Sequence, residues 1–115
     1  MPYFSIETNQ VLGDEAQTAL VQQTSRFISE LIGKPEQYVM IAVKPGTGMS
    51  FGGNPQPAAF VELKSIGLST ERCGELAEKI SGYVKEHLGI SPDRVFIDFK
   101  DIQPDMFGWN GKTFT

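Results

Sequence analysis

The chain predicts an α+β fold, a duplicated βαβ unit that yields a four-stranded mixed sheet with two helices on one face. Three observations carry this. Short segments alternate apolar and polar residues as strands do, two longer segments repeat apolar residues at three- and four-residue spacing as helices do, and the second half of the chain echoes the first. At 115 residues and 40% hydrophobic content, residues 1–115 make a single domain with one compact core.

Tyr3 to Thr8 alternates, with Phe4, Ile6 and Thr8 on one side and Tyr3, Ser5 and Glu7 on the other, which is the pattern of a strand. From Asp14 to Ile32, Ala16, Leu20, Phe27, Ile28 and Leu31 define a narrow helical face. Asp14 can cap with Gln17, and Gly33 followed by Pro35 stops the helix. Tyr38 to Val43 is nearly uninterrupted apolar sequence between Pro35 and Lys44-Pro45-Gly46, and predicts a strand buried on both faces. Ala58 to Ile66 is the next strand. A second helix runs from about Thr70 to Leu88, with Cys73, Leu76, Ala77, Ile80, Val84 and Leu88 inward and Gly89 as its stop. Val95 to Phe99 is the last strand.

The repeat shows in two alignments. Pro35-Glu36-Gln37-Tyr38-Val39-Met40 matches Pro92-Asp93-Arg94-Val95-Phe96-Ile97, and the same displacement carries Phe4 onto Val61 and Ile6 onto Leu63. Two units related by a pseudo-twofold put both helices on one side and leave the other sheet face uncovered. Apolar groups such as Tyr3, Val39, Ile41 and Phe96, or their alternates, are expected on that face, marking an association surface and a symmetric oligomer. A monomer with a mainly polar sheet face is the alternative.

Ten Lys+Arg against fourteen Asp+Glu give a net charge of −4, with no basic run. That leaves no electrostatic footprint for nucleic acid or an anionic membrane. Neither a leader pattern nor an apolar stretch long enough to span a bilayer is present, so a cytoplasmic location is the expectation, with leaderless secretion the alternative. Cys73 is the single cysteine, which excludes an internal disulfide framework and a cysteine-based metal cluster, and its neighbours make it a packing residue.

Met1-Pro2 offers chemistry of its own. Removal of Met1 leaves a proline with a free secondary amine, and burial or a nearby cation pushes such an amine down towards the range of a general base at neutral pH. Retention of Met1 makes the same nitrogen a tertiary amide with no basic lone pair. Lys34, just past a helix end, either satisfies the last carbonyls or binds a carboxylate. Met49 to Pro57 is a loop whose two glycines let backbone approach closely, and Met106 to Phe114 gathers aromatics into a glycine-punctuated tail that caps a hydrophobic cluster. His87 suits a helix C-terminus better than catalysis.

In order and spacing, Met1-Pro2, Gly33-Lys34-Pro35 with Tyr38, Phe51-Gly52-Gly53, Ser65-Ile66-Gly67, Ile90-Ser91-Pro92-Asp93-Arg94-Val95, Gly108-Trp109-Asn110 and Thr113-Phe114 closely resemble the macrophage migration inhibitory factor family of the tautomerase superfamily. The resemblance covers essentially the whole chain. It implies a homotrimer whose sheets surround a central channel, with active sites between subunits, and keto–enol tautomerisation of an aromatic α-keto acid of the phenylpyruvate type. Pro2 would shuttle the proton with no cofactor or metal. Lys34 would hold the substrate carboxylate and keep Pro2 neutral, the Ile66 backbone beside Ser65 would supply a further hydrogen-bonding group, and Tyr38, Phe107, Trp109 and Phe114 would line a slot for the ring.

Two departures touch that site. Phe96 stands where relatives commonly carry a tyrosine supplied by the neighbouring subunit, and Asp98 stands where they carry an asparagine. An ionised Asp98 in the pocket would repel a carboxylate and raise the Pro2 pKa, whereas an Asp98 turned to solvent or to an arginine would do neither. Reduced activity or a different substrate is expected. The cytokine members' Cys-x-x-Cys is here Pro57-Ala58-Ala59-Phe60, and their chemokine-receptor positions are here Val11, Leu12 and Gly46. A redox dithiol is excluded, and chemokine-receptor mimicry is not supported. The alternative function is a cytokine-like signalling or binding protein in which turnover is incidental; receptor binding itself stays open. A dehalogenase or decarboxylase would use further pocket arginines, and Arg26, Arg72 and Arg94 lie on helix or pre-strand positions instead.

Overall fold

The computed structural model describes residues 1–115. Strand β1 (Tyr3–Thr8) is followed by helix α1 (Asp14–Ile32), strands β2 (Met40–Lys44) and β3 (Ala59–Ile66), helix α2 (Thr70–Leu88) and strand β4 (Val95–Ile102). A small hairpin, β5 (Gly108–Trp109) and β6 (Lys112–Thr113), ends the chain. The sheet order is β2-β1-β3-β4. β1 and β3 run antiparallel at the centre, and each pairs in parallel with the strand of its own unit. This is the expected duplicated βαβ unit, with the pseudo-twofold between the two central strands.

One core lies between the sheet and the helices. Phe4, Ile6, Val61 and Leu63 from the strands pack against Ile28 of α1 and Leu76, Ile80 and Val84 of α2, all fully buried. Thr24 of α1 and Tyr83 of α2 join the helices through a hydroxyl–hydroxyl hydrogen bond of 2.9 Å. The Tyr83 ring also stacks on Phe27 at 3.9 Å. Burial pushes the Tyr83 phenol above its ordinary pKa, partly offset by that hydrogen bond. Arg72 at the start of α2 donates to the Leu31 carbonyl at the end of α1 (3.0 Å).

Several local expectations change. Gly13, not Asp14, is the N-cap of α1, and Asp14 sits in the first turn, where its charge favours the helix dipole. Ala16 is exposed, and Thr24 and Ile32 join Leu20 and Ile28 at four-residue spacing to make the buried face. Cys73 is half-buried rather than a core residue: it lies in the first turn of α2, with its Sγ directed to the Ser69 carbonyl (3.5 Å).

The apolar run at 38–43 begins with a 3-10 turn, Glu36–Tyr38, because Pro35 directs a tight turn closed by Tyr38 N–H to the Pro35 carbonyl (3.0 Å). β2 is an edge strand, and Met40 is exposed, so the run is not buried on both faces. Val39 and Ile41 turn inward against the core, and their alternate Met40 joins Tyr3 on the open face. β4 extends past Phe99 to Ile102 because Lys100, Asp101 and Ile102 find partners in Lys64, Ser65 and Ile66.

The open face is mixed. Tyr3, Met40, Ala42, Phe60, Ile66, Phe96 and Ile102 are its apolar members, while Glu62, Lys64, Asp98 and Lys100 form an ion-pair network across its middle. No helix is long and apolar enough to cross a membrane.

Candidate active site

Pro2 is buried, and its carbonyl accepts the Met40 N–H at 3.0 Å, which fastens the start of the chain to the start of β2. Around it opens a cavity of about 690 Å³ lined by Met1, Pro2, Tyr3, Gln37, Tyr38, Val39, Met40, Lys44, Glu62, Lys64, Phe107, Gly108, Trp109 and Phe114. Pro2, Tyr38, Phe107, Trp109 and Phe114, expected together from sequence, share this cavity. Trp109 meets Tyr38 edge-on at 5.7 Å and lies parallel to Phe114 at 6.4 Å. Phe114 N–H bonds to the Phe107 carbonyl (3.2 Å) and the Pro104 carbonyl (3.0 Å), and so fixes the tail as the aromatic wall.

The hairpin carrying Trp109 turns at Asn110 (φ 54°) and Gly111 (φ 80°). Asn-Gly tolerates the left-handed conformation that a two-residue hairpin needs, so this pair was a sequence signal for a hairpin within the tail.

Lys34 does not line the cavity. It follows Gly33, which closes α1 at φ 68°, and its backbone is held by Ser29, whose carbonyl accepts the Lys34 N–H (3.1 Å) and whose hydroxyl donates to the Lys34 carbonyl (2.6 Å). Its charge nevertheless reaches the chain terminus. Burial first, and the Lys34 cation second, hold the Met1 amine below its ordinary value of 8.0.

Ser65 is buried on the helix side of β3 and does not reach the cavity. Ile66 ends β3, and continuing the β1–β3 register past Tyr3 and Lys64 sets it beside Met1 without bringing its side chain into the lining. Phe96 and Asp98 lie elsewhere on the sheet. Phe96 packs on Phe51 at 4.8 Å in a separate hollow with Met49 and Phe60, and Asp98 pairs with Lys100. Within one chain, neither approaches Pro2.

Two roles escaped sequence reasoning. Lys64, Glu62 and Tyr3 enter the cavity because odd–even strand placement and cross-strand register put them on the open face beside Met40. Arg94 organises the glycine loop: it donates to the carbonyls of Pro57 (2.9 Å), Gln56 (3.1 Å), Phe51 (3.2 Å) and Asn54 (3.3 Å), with its guanidinium 5.3 Å over the Phe51 ring. Nothing local in the sequence announces either role.

A two-layer βαβ duplication with a buried proline at the head of an aromatic cavity defines a specific class of protein. The chain belongs to the macrophage migration inhibitory factor family, of the tautomerase superfamily: the family model "Macrophage migration inhibitory factor (MIF)" matches residues 1–115. Among its relatives, the macrophage migration inhibitory factor homolog of Brugia malayi is 37% identical over 99% of each chain, and the factor of Xenopus tropicalis is 33% identical over 99% of each. The crystal structure of the homologue from Prochlorococcus marinus superposes with a TM-score of 0.90 at 39% identity, covering 98% of this chain and 99% of that one. The structure of the factor from Trichinella spiralis gives 0.89 at 32% identity, covering 97% and 99%. Membership makes this a tautomerase-type or cytokine-like protein, with isomerase chemistry as its class of activity.

Proposed function

We propose that this chain is a homotrimeric keto–enol tautomerase of aromatic 2-oxo acids of the phenylpyruvate type, with Pro2 as the acid–base group once Met1 is removed. One observation carries the proposal: Pro2 is buried at the head of an aromatic cavity, one residue from a Met1 amine that burial and Lys34 hold below its ordinary pKa. A neutral secondary amine there takes a proton from the carbon beside the substrate carbonyl. The C–H electron pair becomes the enol double bond, the carbonyl pair moves onto oxygen, and the ammonium returns the proton to that oxygen. Tyr38, Trp109 and Phe114 sandwich the aryl ring and exclude water.

The Lys34 charge, acting from outside the cavity lining, keeps Pro2 unprotonated between turnovers and attracts the substrate carboxylate, and the Ile66 backbone supplies a further hydrogen-bonding group. Ser65, buried on the helix side, makes no contact with the substrate. Phe96 and Asp98 come from the neighbouring subunit of the trimer, in agreement with their distance from Pro2 within one chain. Phe96 lends a ring without a hydroxyl. Asp98 slows the reaction by repelling the carboxylate, to the extent that its pairing with Lys100 leaves its charge free.

The test is phenylpyruvate tautomerisation by untagged protein whose intact mass shows that Met1 is gone. Turnover that vanishes in Pro2→Gly and rises in Asp98→Asn supports the proposal; silence of both the processed wild type and Asp98→Asn refutes it. The names of the relatives favour a second reading, a cytokine-like binding protein. Pro2→Gly then leaves partner binding intact.

A further inference from the structure

The cavity is cationic although the chain carries a net charge of −4. Lys64 and Lys44 line it against a single carboxylate, Glu62. No carboxylate lies within ion-pair distance of Lys44, and Glu62 divides itself between Lys64 (3.7 Å) and Lys100 (3.4 Å). Its claim on Lys64 is the longer of the two, so the Lys64 ammonium is only partly neutralised.

Position separates the two lysines. Met40, Tyr3 and Lys64 are register partners across β2, β1 and β3, a continuous row on the open face next to Pro2. The Lys64 ammonium stands 5.9 Å from the centre of the Tyr3 ring. Lys44 lies at the far end of β2, opposite Glu7. Lys34 lies outside the lining altogether, yet acts on the terminal amine. Lys64 is therefore the lining cation set beside the Pro2 end, against the Tyr3 ring.

We propose that Lys64 forms a second anion subsite, so that the preferred substrate is a 2-oxo acid bearing another carboxylate across its ring or chain. The 2-oxo group lies at Pro2 and the distal carboxylate meets Lys64. This rests on the tautomerase reading for its chemistry, but not for its binding. A partly exposed, partly neutralised ammonium that gains a carboxylate forms a charge-assisted contact, for which about a tenfold preference is the expected scale.

Isothermal titration of cinnamate and para-carboxycinnamate, which carry no 2-oxo group to tautomerise, measures the preference directly on the processed protein. The wild type is expected to bind the dicarboxylate about tenfold more tightly. Lys64→Met should collapse that ratio to near unity, and Lys64→Arg should keep it. Equal binding of the two ligands by wild type overturns the subsite. So does a ratio unmoved by Lys64→Met, or a loss shared equally by both ligands, which would make Lys64 an anchor for the common carboxylate. A preserved binding preference with no phenylpyruvate turnover would instead refute the tautomerase reading and leave the subsite standing.

Discussion

The hydrogen bond between Thr24 and Tyr83 is the buried side-chain contact that joins α1 to α2, beside the Arg72–Leu31 bond at their ends, and its removal gives a sharp test of how the helical layer is held. The two hydroxyls are 2.9 Å apart, Thr24 is fully buried and Tyr83 is 8% exposed. Tyr83→Phe keeps the stack on Phe27 and strands the Thr24 hydroxyl. An unsatisfied buried hydroxyl costs about 1–3 kcal/mol, and a threonine in a helix can recover part of that by bonding back to the preceding turn, so about 1–2 kcal/mol is expected. Thr24→Val is nearly isosteric and strands the phenol, whose small exposure admits some water, and about 1 kcal/mol is expected. With both hydroxyls gone, no group is left unpaired, and the double variant should be close to wild type. The coupling energy is therefore about 2–3 kcal/mol, the sum of the two single costs. Urea denaturation at one fixed protomer concentration measures all four proteins, since association would otherwise shift apparent stability. A double variant whose cost equals the sum of the singles would show that the hydroxyls do not act on one another and would refute the assignment.

Tyr83 also carries a pH signature. Its phenol is raised above 10.0 in the fold, so its stabilising contribution is present below the unfolded pKa and is lost as pH rises through the folded one. Wild type should lose stability above about pH 10, and Tyr83→Phe should lose less, as alkaline thermal melts would show. The base form of Pro2 is the active one, and once Met1 is gone its amine lies one residue from the position at which burial and Lys34 lower the Met1 amine, so the rising limb of the pH–rate profile should lie below that of an unperturbed terminal amine. Lys34→Met should move that limb to higher pH, because a cation that lowers the pKa of an amine at this chain end is gone. An unmoved limb would mean that Lys34 does not act on the base. Leu63→Ala opens a hole in the centre of a fully buried cluster and should cost about 2–5 kcal/mol in the same urea assay. Arg94→Ala frees four loop carbonyls and should speed proteolysis within residues 51–57; an unchanged cleavage rate would show the loop to be held by other contacts, such as those of Asn9 to Pro55 and Gln56.

Much of the fold is legible in the residues because it follows from local periodicity. Phe4, Ile6 and Thr8 can share only one face of a strand, Leu76, Ile80 and Val84 only one stripe of a helix, and Gly33 and Gly89 end their helices because each takes the left-handed conformation that other residues resist. The repeat between the halves then follows from the matching order of these elements. The choice of which face of β2 looks inward was not legible, since every residue from Tyr38 to Val43 is compatible with either side. Only pairing with β1, which sets Ile41 beside Phe4, turns Met40 outward. The same holds for the cavity. Pro2, Tyr38 and the tail aromatics could be named from the chain, but Lys64 enters it through a register fixed between strands distant in sequence, and Lys34 acts on the terminal amine from outside its wall. Sequence determined which segments form strands and helices, because those choices depend on neighbours a few residues away. Tertiary structure decided which charges share the cavity with Pro2, because that depends on distances between residues the chain separates.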